Sequence, residues 1–148
     1  MRSKFMRVIT ALASVALAGL PAIRATPAEA PTIRVEDAWI RWLPAGVPAG
    51  GYATLTNTGE KSLRLIAVSS PAFGEVSIHR SVEHQGMMEM RPVAQIAIVA
   101  HSSLNFAATG YHLMLVQPSK PLALGDHVPM TLHFAGGGSL TVQFEVRK

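Results

Sequence analysis

An all-β domain, folded as a two-sheet sandwich or a barrel, is predicted by three features of this sequence. Short runs rich in Val, Ile, Leu, Thr and aromatic residues are separated by Pro, Gly, Asn and Asp. No stretch beyond residue 30 sustains the 3.6-residue apolar period of a helix. Turn signals recur at the spacing of about eight to twelve residues that sandwiches and barrels use.

The runs place strands near 33–40, 51–57, 62–69, 75–80, 88–93, 103–107, 112–117, 128–134 and 139–147. Leu43-Pro44-Ala45-Gly46 turns the chain after the first, and 44–51 is the one connection long enough to be irregular. No chemistry is assigned to that loop. Asn57-Thr58-Gly59 ends the second strand, Ser70-Pro71 the third and Gln117-Pro118 the seventh. Gly136-Gly137-Gly138 closes a hairpin between the last two.

Residues 1–30 read as a secretory signal peptide rather than part of the fold. Arg2, Lys4 and Arg7 precede an apolar run from Val8 to Leu20, which Pro21 and Arg24 stop. That run is shorter than the roughly twenty residues of a spanning helix, and cleavage is expected near 25–30, after Ala25 or Ala30. With no cysteine after the run, a lipid anchor is not expected. The mature protein is expected in the periplasm, with no stable membrane insertion. Cleavage leaves about 118 residues, 31–148, which is the size of one domain with its own core.

Charge points away from polyanions. Removing the leader takes away four cations and one acid, so the formal +4 drops by three to +1. No Lys/Arg run or aromatic-basic interleaving remains, and nucleic acid is not an expected partner. The absence of cysteine in an exported chain means burial and hydrogen bonding, not disulfides, hold the fold.

The chemistry is carried by His79, Met90, His112 and Met114: a His, ten residues, a Met, twenty-one residues, then His-Leu-Met. Two imidazoles and two thioethers form a soft, neutral set suited to Cu(I). Side chains alternate along a strand, so His112 and Met114 project together while Leu113 and Leu115 face the core. In Met87-Met88-Glu89-Met90 the same alternation puts Met88 and Met90 on one face, and only one of them need bind metal, which makes Met88 the alternative ligand. His79 is set opposite to Val76 and Ile78 and so looks away from the core. Taken singly, a Met is usually core filler and a His usually surface or hydrogen-bonded; the combination is what points to a metal. His84, placed in an 83–86 turn, is the candidate for an auxiliary role, whereas His101, His127 and His133 read as structural or solvent-facing.

That four-point spacing resembles the signature of the PCu(A)C family, periplasmic copper chaperones with a cupredoxin-like fold. Further segments look similar: Ala38-Trp39, Gly51-Tyr52 to Asn57-Thr58-Gly59, Gly86 to Arg91-Pro92-Val93, Gly110-Tyr111-His112-Leu113-Met114, and Gly125-Asp126 to Phe134. The resemblance spans essentially the whole mature chain. It implies a Greek-key, cupredoxin-like domain that is not an enzyme. One Cu(I) per chain would be held by His79, Met90, His112 and Met114 and passed to a copper-acceptor protein, either a cytochrome oxidase subunit or its assembly factor. A monomer is expected. Two departures stand out: Arg80 follows His79 where some members have Met, and no His/Met-rich tail extends beyond Val146-Arg147-Lys148. The second implies that only the Cu(I) site is present, with reduction or loading left to another protein.

Competing uses of the same residues remain open. A multi-histidine site on an exported sandwich suits a Cu or Zn enzyme, although no nucleophile elbow or phosphate loop accompanies it. A metal-free interaction module would use Met87, Met88, Met90 and Met114 as an adaptable apolar patch. Blue-copper electron transfer is excluded, because that site needs a Cys thiolate.

Overall fold

The β-branched and aromatic runs form ten strands in the computed structural model, which describes residues 31–148; the leader expected over 1–30 lies outside the described residues. In chain order they are β1 Ile33–Arg41, β2 Ala49–Asn57, β3 Leu63–Ser69, β4 Phe73–His84, β5 Met87–Pro92, β6 Ile96–Ile98, β7 Ser103–Phe106, β8 Tyr111–Pro118, β9 His127–Phe134 and β10 Ser139–Arg147. Described residues contain no helix.

Three differences from the sequence expectation have physical reasons. The unforeseen strand is β6, whose three residues are too few for an alternation to register, yet it pairs with β3 and buries Ile96 and Ile98. At the end of β4, pairing with β5 continues down to His84 opposite Met87, so His84 is the last strand residue rather than part of a turn. The turn itself is Gln85-Gly86, with φ of 50° and 78°, the two positive values that a type I′ hairpin needs. Finally, β2 begins at Ala49, which shortens the irregular loop to residues 42–48.

Hydrogen bonding links all ten strands in one order, β5-β4-β8-β7-β2-β1-β10-β9-β3-β6, instead of dividing them between two separate sheets. The non-consecutive neighbours are crossovers, as a Greek-key arrangement requires. Most pairings are antiparallel, with β1 parallel to β10. The sheet rolls around one core, to which Ile40, Leu55, Phe134, Phe144 and Val146 contribute from four strands. In β9 the alternation is clean, with Val128, Met130, Leu132 and Phe134 inside. By contrast, β1 carries a bulge between Glu36 and Trp39, where Asp37 takes φ 47° and accepts a hydrogen bond from Arg147 at 2.6 Å. Regular side-chain alternation is interrupted there, and Glu36 and Asp37 are both exposed.

β8 is the strand that fixes the site. Leu113 and Leu115 are 2% and 1% exposed, and burying each stabilises the fold by about 1.5–3 kcal/mol. A slip of one residue would turn both into the opposite face, so their burial sets which way His112 and Met114 point.

Candidate metal centre

Register brings the four predicted ligands onto one face of three adjacent strands. In the antiparallel β4–β8 ladder His79 stands opposite His112, and Ser77 opposite Met114. Directly opposed residues share a face. In the β4–β5 ladder Met90 stands opposite Ser81, which lies two residues along from His79 and so on the same face. The diagonal from Met90 to His79 is within reach of a long side chain.

The site is deeper than sequence alternation suggested. His112 is only 6% exposed, and Met114 is partly buried, because the outer face of β8 is itself covered. A cavity of about 360 Å³ is lined by Met90, His112 and Met114, with Leu43, Pro48 and Tyr52 among its other walls. Those walls come from β2 and the 42–48 loop, to which the sequence assigned no chemistry. Met90 lines it while remaining 65% exposed, and His79 is not among the lining residues. The result is a half-buried site with apolar walls, not one spread on an open surface.

The two imidazoles are held at one nitrogen and open at the other. Ring centres of His79 and His112 lie 6.1 Å apart with planes at 44°. His112 Nδ1 is 3.2 Å from the carbonyl oxygen of Gly110, an acceptor only, so that nitrogen carries the proton and donates it. His79 Nε2 is 3.1 Å from the Ser77 hydroxyl. The remaining atoms, His79 Nδ1 and His112 Nε2, are buried and have no hydrogen-bond partner among the described residues. Buried polar atoms without partners are uncommon and costly, and two in adjacent rings are accounted for if a cation shares their lone pairs.

Electrostatics disfavour the charged form of His79. Burial pushes the His79 pKa below its ordinary value, the neighbouring His112 lowers it further, and Glu75 opposes both. A neutral imidazole is the form that ligates. Among the described residues no three His, Asp, Glu or Cys side chains gather into a metal-binding cluster, so beyond the two imidazoles the side-chain donors at hand are the thioethers of Met90 and Met114.

The other sequence candidates fall outside this arrangement. Met88 shares the face of Met90 but stands opposite Glu83, two pairs nearer the hairpin tip, and does not line the cavity. His84 has opposite parity to His79 along β4 and pairs with Met87 at the tip, so the structure does not bring it to the site. His101 meets Glu60 at 3.1 Å, and His133 bonds the Ser69 hydroxyl at 2.7 Å, both structural uses. Ser77, Gly110 and the 42–48 loop were not singled out from sequence. Ser77 was legible by alternation, since it lies two residues from His79; the loop had no local signal.

Residues 33–146 match the family described as "Putative lipoprotein LpqE-like". Among relatives, the protein described as "Putative lipoprotein Lxx21020" of Leifsonia xyli subsp. xyli is 29% identical over 130 residues, covering 86% of this chain and 78% of its own. Among solved structures, the copper-bound PCuAC domain from PmoF2 is 28% identical with a TM-score of 0.66, covering 80% of this chain and 95% of that domain. The Cu(I) form of DR1885 from Deinococcus radiodurans is 25% identical with a TM-score of 0.59, covering 86% and 83%. In the described residues no helix is long and apolar enough to cross a membrane. With a cupredoxin-like fold and a family match over nearly all of the described chain, this protein belongs to the LpqE-like family of PCuAC domains.

Proposed function

We propose that this protein is an exported Cu(I) carrier that binds one ion through His79, Met90, His112 and Met114 and releases it to a copper-acceptor protein. The observation that carries this reading is the pair of buried, unpartnered nitrogens, His79 Nδ1 and His112 Nε2, on the same sheet face as Met114 and Met90. Neutral imidazole and thioether donors match the softness of Cu(I) and leave its charge uncompensated. Such a set holds copper less firmly than thiolates would, which suits transfer. Thioethers also form no disulfides in an oxidising compartment.

The likeness to copper-bound and Cu(I)-bound PCuAC structures supports the same reading. We assign the periplasm as its compartment and the copper centres of cytochrome oxidase, or their assembly factor, as the destination, in keeping with the family resemblance. The protein acts as a monomeric, non-enzymatic carrier.

A Cu(I) titration against a chromophoric chelator tests the proposal. Wild type is expected to compete for one equivalent, and a His112→Ala, Met114→Ala double variant to lose that competition. Equal competition by the two proteins removes the assigned site. The 62–65% exposure of Met87, Met88 and Met90 is what favours a metal-free interaction module instead, and that reading predicts no competition by either protein.

A further inference from the structure

We propose that Ser77 is a positioning residue: its hydroxyl fixes the proton of His79 on Nε2, so that the two imidazoles present different nitrogens to the metal, Nδ1 from His79 and Nε2 from His112. This deepens the copper reading above and rests on it. Ser77 lies two residues before His79 on the same face of β4, and opposite Met114 in the β4–β8 ladder. Its Oγ is 3.1 Å from His79 Nε2.

Two tautomers of His79 are compatible with that contact, and burial separates them. With the proton on Nδ1, a buried N–H would have no acceptor, because His79 Nδ1 has no partner. Orphaned buried N–H groups are rarer than under-satisfied acceptors. With the proton on Nε2, the Ser77 oxygen accepts it and only a lone pair is left bare at Nδ1. A bare lone pair on the ligand face is also what a soft cation requires. At His112 the choice is made by the Gly110 carbonyl, which can only accept and therefore holds the proton on Nδ1. The outer partners are thus a side chain in one case and the backbone in the other. Of the two, only the serine can be removed by substitution.

The test reads the tautomers of isotope-labelled imidazoles in the metal-free full chain, using long-range proton–nitrogen correlation, together with Cu(I) competition. Wild type is expected to carry the proton on Nε2 of His79 and on Nδ1 of His112. Ser77→Ala should leave His79 a mixture of tautomers and weaken Cu(I) binding by about 10- to 100-fold, the usual cost of removing an outer-shell partner. Ser77→Thr keeps the hydroxyl in a strand-compatible side chain and should restore both readouts. A wild-type His79 protonated on Nδ1 overturns the proposal, and so does a Ser77→Ala protein with unchanged tautomer and affinity. If wild type competes and His79→Ala does not, while Ser77→Ala binds like wild type, the role of Ser77 alone is refuted. If wild type fails to compete at all, the copper reading falls, and the tautomer measurement still decides how His79 is oriented.

Discussion

His79 and His112 stand directly opposite one another in the β4–β8 ladder, ring centres 6.1 Å apart, and each keeps one buried ring nitrogen without a partner. Burial first, and then the neighbouring His112, disfavour the charged form of His79.

That relationship sets the direction of the pH response. The His79 pKa is lowered, first by burial and then by His112, so the unfolded chain takes up a proton at higher pH than the folded one. The contribution of His79 to stability is fully present above the unfolded value of about 6.5 and is lost as pH falls through the lower folded value. Chemical denaturation of the metal-free protein at about pH 7.5 and about pH 5 should show the loss, and His79→Gln should remove its share of the slope. Cu(I) affinity moves the same way, because protonated imidazole does not ligate. An affinity flat across this range would point to an all-thioether site.

Met90 and Met88 share a face and similar exposure, yet only Met90 lines the cavity with His112 and Met114. Met90→Ala is therefore expected to weaken Cu(I) binding by more than the roughly 10- to 100-fold loss that removal of an outer-shell partner brings. Met88→Ala should change it little. Chelator competition on the two variants separates them, and a larger loss in Met88→Ala would move the ligand assignment two residues along β5.

Gly50 faces Met114 across the β2–β8 pairing, and the ring of Tyr52 leans over it. A Cβ added at Gly50 would come within 2.5 Å of the Tyr52 hydroxyl and 2.9 Å of the ring carbon bearing it. The rigid ring can yield only by swinging away from Trp39, against which it packs with centroids 4.7 Å apart. Gly50→Ala should cost about 1–3 kcal/mol by overpacking. In the Tyr52→Ala background most of that penalty should vanish, giving strong non-additivity in a double-mutant cycle read by urea denaturation. Additive effects would show that the glycine is not kept for the tyrosine.

How much of this was legible in the sequence depends on how local each determinant is. The His-Leu-Met run carries its own geometry, since alternation alone puts Leu113 and Leu115 in the core and the two ligands on the other face. Pairing of His79 with His112 depends on β4–β8 register, which no local signal states; the family spacing named both as ligands but not as ladder partners. The burial of His112 was not legible, because its cover comes from Tyr52 and the 42–48 loop, sixty or more residues away. The extent of β4 was missed where a two-residue turn extends the hairpin to His84.

The same hairpin holds Met90 in place, because β5 is an edge strand whose only ladder among the described residues is with β4. Its turn needs left-handed backbone at both Gln85 and Gly86, with φ of 50° and 78°. A Cβ added at Gly86 would meet nothing within 4 Å, so the cost of a substitution there is conformational and not steric crowding by neighbours. Gly86→Val should accordingly destabilise by about 1–2 kcal/mol, the usual penalty for a side chain in left-handed backbone. Gln85→Asn, which tolerates that region better, should stabilise slightly. Loosening the tip lets β5 fray from the end nearest Met87, which reaches Met90 before it reaches His79. On the copper reading, Gly86→Val then lowers Cu(I) affinity although it touches no ligand, while hydrogen exchange speeds up in β5 and not in β8. Unchanged exchange in β5 would mean that Met90 is positioned by its contacts at the cavity rim, independently of the turn.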